Sequence, residues 1–84
     1  MKLLSDSIKK TAAIAEGYNL GRLIIEDEKP SIELEDGEVI KATGLIVEIL
    51  TSDGWYRLGI EDYEKVTEEG WPLFAGFDCR WKEV

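Results

Sequence analysis

The side chains that most often carry chemistry are scarce in this chain of 84 residues. Histidine is absent, and with it the commonest general base and metal ligand near neutral pH. The single cysteine, Cys79, stands between Phe77 and Trp81 in "FDCRW" with no histidine to deprotonate it; that setting predicts a small core residue, not a nucleophile. Ser5, Ser7, Ser31 and Ser52 fall at caps, turns and strand starts, with no partner type for a triad. Carboxylates are plentiful, but Glu26, Asp27 and Glu28, then Glu35, Asp36 and Glu38, gather at turns where charge is solvated. A glycosidase-like pair instead needs a cleft and one carboxyl raised by burial. The stretch "EDEKPSIELEDGE" does not have the alternating ligands of a calcium loop, because Pro30, Ile32 and Leu34 interrupt it. "GYNLG" has neither the glycine spacing nor the lysine of a phosphate cradle. The expectation is a non-enzymatic protein with no metal and no cofactor.

What remains is aromatic. In "SDGWYRLGI", strand alternation puts Tyr56, Leu58 and Ile60 on one face and Trp55 and Arg57 on the other. If the first trio fills a core, Trp55 and Arg57 lie outside it. Trp71, beside Pro72, lies in a loop. A large rigid ring near a forked donor is what protein–protein hot spots use, so Trp55, Arg57 and Trp71 are the candidate partner-binding residues. The other reading of Trp55 is that it covers one end of the fold or packs under the N-terminal helix.

The elements that must position these residues are short. "SDSIKKTAAIAEGYN" reads as a helix over residues 5–17, capped by Ser5 or Asp6 and ended by Gly17. Leu4, Ile8, Ala12 and Ala15 mark its docking stripe, and Lys9 and Lys10 its solvent face. Residues 19–82 read as a β-rich body. Asp36-Gly37 and Asp53-Gly54 are two-residue hairpin turns between β-branched runs. Tyr63 and Val66 suggest one helical or 3₁₀ turn, and Pro72 and Gly76 an irregular path. In "FDCRWKEV", Phe77, Cys79 and Trp81 alternate with Asp78, Arg80 and Lys82. The predicted core comprises Leu58, Ile60, Phe77, Cys79 and Trp81. The fold class is α+β or mainly β: a single small domain, built as an SH3-like open barrel of five to six short antiparallel strands with an N-terminal helix. The alternative is a flatter antiparallel sheet with the helix on one face.

Charge narrows the partners. Residues 1–25 carry four basic and two acidic side chains, a net +2; residues 26–84 carry six basic and sixteen acidic, a net −10. Such a chain repels phosphate backbones, so direct nucleic-acid binding is not expected. One cysteine allows no internal disulfide, which points to a reducing, cytoplasmic setting. The apolar start "MKLL" stops at Ser5-Asp6, too short for a signal peptide. No run of about 18 apolar residues offers a membrane span. The expected state is a monomer or weak homodimer.

The order "GRLII", "IELEDG", "TGLIVEIL", "DGWYRLGI" and "PLFAGFDCRW" resembles a small β-rich domain of Gram-positive bacteria and their phages and integrated elements, domain-of-unknown-function family 5348. Residues 21–82 carry the resemblance. Gly76, Phe77 and Arg80 fill its terminal pattern, and Gly44, Val47 and Glu48 its middle one. The chain departs from the family in lacking a longer strand segment with a further tryptophan between "VEIL" and "GWY", and in its N-terminal helix. The resemblance implies a β module in a mobile-element setting and assigns no activity. Two functions follow as expectations: a protein-interaction or accessory module, or an acidic inhibitor that occupies a basic, nucleic-acid-binding surface of its partner.

Overall fold

The computed structural model describes residues 2–84, with side chains from Ser7 onward. The elements are α1 (Lys2–Ala15), β1 (Asn19–Glu26), β2 (Lys29–Glu33), β3 (Val39–Lys41), β4 (Leu45–Thr51), β5 (Gly54–Arg57), a 3₁₀ turn (Ile60–Glu64) and β6 (Asp78–Glu83). The strands make one antiparallel sheet in the order β3-β2-β1-β6-β4-β5. No described helix is long and apolar enough to cross a membrane.

Connection length dictates the shape of that sheet. In a flat sheet β3 and β4 would stand four strand spacings apart, about 19 Å. Residues 42–44 alone join them, and the four peptide steps from Lys41 to Leu45 reach at most about 14 Å. The sheet therefore curls until the β3 edge approaches β4. It stays open, with β3 and β5 as its two edges. The concave face holds the core: Leu23, Ile25, Ile32, Ala42, Val47, Ile49 and Cys79 are buried there, with Leu58 against them. Tyr63, Phe74 and Ala75, from the segment between β5 and β6, pack on this cluster as its lid.

Turn chemistry sets the register. The β1–β2 loop is Asp27-Glu28, and both residues take positive φ (51° and 64°), which defines a type I′ turn. The Asp36-Gly37 hairpin is a residue longer than the sequence reading. Gly37 N–H donates to the Leu34 carbonyl and Leu34 N–H to the Glu38 carbonyl, enclosing a three-residue loop with Gly37 at φ +88°. At the β4–β5 turn Thr51 pairs with Gly54, so the two loop residues are Ser52 and Asp53, not Asp53 and Gly54.

Helix α1 ends as its glycine predicts. Gly17 has φ +91°; its N–H reaches the Ile14 carbonyl and the Tyr18 N–H reaches that of Ala13, a Schellman closure. The start and the docking phase differ from expectation. The helix already runs at Lys2, so Ser5 and Asp6 lie within it and cannot cap it. Ala13 is the fully buried position, while Ile8 is 62% exposed and Ala12 and Ala15 are exposed; the side chain of Leu4 lies outside the described residues. The helix docks through Ala13, flanked by two ion pairs, Lys10 to Asp78 at 3.0 Å and Glu16 to Arg80 at 3.4 Å. Lys10 thus faces β6, and the small Ala13 between these pairs permits close approach.

Three expected core residues are not buried. Tyr56 opposes Ile49 and so shares the core face, but it stands on edge strand β5, where Phe74 stacks on it with ring centroids 6.2 Å apart. Phe77 precedes β6 and is exposed, edge-on to Phe74. Ile60 is 83% exposed because β5 stops at Arg57 and the chain turns. Leu58 and Cys79 are buried as expected, and Trp81 is half-buried against the same cluster. Val66 is exposed outside the 3₁₀ turn.

Candidate functional site

The convex face of the sheet is organised around Arg80, whose side chain is only 13% exposed. Strand register brings Glu48 of β4 and Leu20 of β1 beside it. Arg80 Nε donates to Glu48 Oε1 at 2.6 Å. The guanidinium lies 4.0 Å from the Tyr18 ring centre and 4.7 Å from that of Trp55. It is a cation held between two aromatic faces, a geometry that planar guanidinium favours. Lys82 adds a second cation 4.5 Å from Tyr18. The Schellman closure at Gly17 delivers Tyr18 to this place, so the end of α1, β4, β5 and β6 meet on one side chain.

Trp55 is accordingly half-buried, on the face that strand alternation gives it, opposite Leu50. Its cover is Arg80. Arg57, opposite Glu48, is exposed. Trp71 is 70% exposed, and no aromatic or cation–π contact joins it to Trp55 or Arg57 among the described residues. The fold thus brings Trp55 and Arg57 together on β5 and carries Trp71 on a separate loop.

That loop is ordered by its own hydrogen bonds. Leu73 N–H donates to the Lys65 carbonyl (2.9 Å), Thr67 N–H to the Trp71 carbonyl (2.8 Å) and Gly70 N–H to the Thr67 carbonyl (2.9 Å). Val66 and Pro72 form a bridge, and the Trp71-Pro72 peptide is trans. Its far end is tied to β1 through Gly76 N–H to the Leu23 carbonyl and Leu23 N–H to the Phe77 carbonyl. On this frame Val66, Trp71, Leu73 and Phe77 are exposed, and the contacts of Phe74 with Tyr56 and Phe77 extend the surface to the β5 edge. Sequence reasoning singled out Trp71 but missed Leu73 and assigned Tyr56 and Phe77 to the core. The dense run "WPLFAGF" was the available signal.

Two titrating groups have structural causes. The Cys79 thiol is pushed up to about 12, chiefly by burial and then by the Asp78 charge; so held it is a neutral core side chain at physiological pH. Asp62 is buried, with Lys65 Nζ at 2.8 Å and the Gly59 N–H donating to it at 2.7 Å. The hydrogen bond to Lys65, then that from Gly59, hold its carboxyl below the usual value against desolvation. A depressed carboxyl stabilises the fold above its unfolded value, about pH 4, and loses that contribution as pH falls through the folded one. Asp62→Asn is therefore expected to lower the urea midpoint at pH 7 and to shrink its fall between pH 7 and pH 3. An unchanged midpoint at pH 7 would show that the turn does not depend on this carboxylate.

Among the described residues no three of His, Cys, Asp or Glu come together as a metal cluster. Fold and surface define a small curled antiparallel sheet with an N-terminal helix and an exposed aromatic loop. Compared with protein-family models, with curated proteins and with solved structures, the chain matches none.

Proposed function

We propose that this chain is a non-enzymatic protein-interaction module whose contact surface runs along the 66–77 loop and around the β5 edge. The observation that carries the reading is the exposed apolar group Val66, Trp71, Leu73 and Phe77 on a hydrogen-bonded loop. Large rings held rigidly in water have little ordering cost left to meet on binding, which is how hot-spot residues act. Arg57, exposed on the opposite face of the strand that carries Tyr56, supplies a forked donor at the rim, beside Trp55. The resemblance to family 5348 supplies a setting, an accessory factor of a phage or mobile element.

Charge placement supports this module over an acidic inhibitor of a nucleic-acid-binding partner. Such an inhibitor needs one continuous face of carboxylates, whereas here they are divided between the turns and strands on which they alternate with cations. The convex face intersperses Arg22, Arg57 and Lys82 with Glu33, Glu48 and Asp78.

The test is capture from the host by the tagged protein, compared with Trp71→Ala. An exposed substitution of this kind shifts stability within about 0.5 kcal/mol. The variant is expected to melt as the wild type does and to lose the captured protein, at low and moderate salt alike. Equal capture by both would remove the loop from the contact surface.

A further inference from the structure

We infer that the groove between the β3–β4 link and the 3₁₀ turn is a seat for a lysine or arginine side chain on an extended segment of a protein partner. The inference rests on reading the chain as a protein-binding module, but it concerns a different surface from the aromatic loop. Between the β3–β4 link, residues 42–44, and the segment that follows β5, a groove of about 370 Å³ remains, within the size range of small-ligand sites, about 300–1,000 Å³. Pro30, Ala42 and Leu45 wall it on the strand side, and Leu58, Ile60 and Tyr63 on the other.

Its only charged lining residues are Glu28 and Glu64, and neither is in an ion pair among the described residues. Lys65, which follows Glu64, is committed to Asp62 at 2.8 Å, and Lys29, which follows Glu28, is not among the residues that line the groove. An apolar trough ending in unpaired carboxylates complements a long aliphatic stem with a cationic head. The stem lies along the walls and the head makes charge-assisted hydrogen bonds at the rim.

Glu28 sits at φ +64°, the second central position of a type I′ turn, where glycine is favoured, so Glu28→Gly removes the carboxylate without straining the turn. Ile60, 83% exposed, stands in water at the same groove, where a bound stem would cover it.

The experiment uses the full chain and the capped heptapeptide acetyl-Gly-Ala-Leu-Lys-Leu-Ala-Gly-amide, with norleucine in place of lysine as its uncharged match. Amide shifts are followed by NMR. The lysine peptide is expected to move Thr43, Gly44, Gly59 and Ile60 saturably, and the norleucine peptide to bind at least about tenfold more weakly. Binding should weaken as salt rises, because exposed charge pairs are screened. Glu64→Gln is expected to reduce it, and Glu28→Gly to abolish it while the protein melts at the same or a higher temperature. Trp71→Ala is expected to leave it unchanged, so failure of the aromatic loop as a contact surface reads out separately. No shift at these residues, equal binding of the norleucine peptide, undiminished binding in Glu28→Gly/Glu64→Gln, or loss in Trp71→Ala would each overturn the inference.

Discussion

Arg80→Ala is expected to lower the free energy of unfolding by about 3 kcal/mol or more, because removing one partner of a buried ion pair leaves the other charge uncompensated. That loss is a large fraction of the 5–15 kcal/mol typical of folded domains. Glu48, 15% exposed, would be the stranded charge. Tyr18 and Trp55 would lose the cation between them, and Glu16 its tie to β6. Arg80→Lys is expected to recover only part, since an ammonium cannot both stack flat on two rings and fork to a carboxylate. Arg80→Met with Glu48→Leu should recover more than Arg80→Lys, because it removes both charges together. Since α1 is held to β6 through Lys10 and Glu16, its amides should exchange in Arg80→Ala well before those of β1 and β6. Denaturant melts and amide exchange measure both effects. A loss below about 1 kcal/mol would mean that the guanidinium is not what joins helix to sheet.

Much of the fold was legible because its punctuation is local. Gly17 ends α1, Gly37 and Gly54 mark two of the hairpins, and Cys79 and Trp81 alternate with Asp78 and Arg80 as written. The errors arose where tertiary partners override a local pattern. Alternation extended through "WYRLGI" would bury Ile60, but the Gly59 N–H donates to the Asp62 carboxylate and starts the 3₁₀ turn. The Gly-x-x-Asp spacing was visible; its precedence over period two was not. In α1 the apolar stripe through Ile8 was the wrong guide: the face that docks is the one carrying Ala13, with Lys10 and Glu16 paired to residues more than sixty positions away.

The candidate site was legible to the same depth. Alternation gives the convex face for Trp55 and Arg57, and the proline beside Trp71 gives a loop. No spacing rule could say that Arg80 covers Trp55, since Tyr18, Trp55 and Arg80 belong to three distant segments joined only by the strand order. That order also bends the sheet: a three-residue link joins strands on opposite sides of β2, β1 and β6 without closing it.

Gly21 gives the second large effect, and here strand propensity and packing predict opposite signs. Gly21 lies inside central strand β1, opposite Cys79. Propensity alone would make Gly21→Ala neutral or favourable and Gly21→Val better, on a scale that spans about 1 kcal/mol. A Cβ at this position, however, would collide with Ile32 Cγ2 and lie 3.0 Å from the Glu33 carbonyl oxygen. Ile32 is fully buried, and a β-branched side chain is stiff about its first torsion, so that methyl has nowhere to turn. Overpacking a filled core costs about 1–3 kcal/mol and sometimes more, which outweighs propensity. Gly21→Ala is therefore expected to destabilise by about 2–3 kcal/mol, and Gly21→Val by more. Ile32→Leu removes the methyl on Cβ that the new side chain meets. The double substitution Gly21→Ala/Ile32→Leu should then cost less than the two singles added, with a coupling of about 1 kcal/mol. Recovery stays partial because the Glu33 carbonyl belongs to the β1–β2 ladder and cannot move aside. A denaturant series on the four proteins of this cycle decides the matter: if Gly21→Ala melts at or above the wild type, the close approach of β2 over β1 is not what the glycine serves.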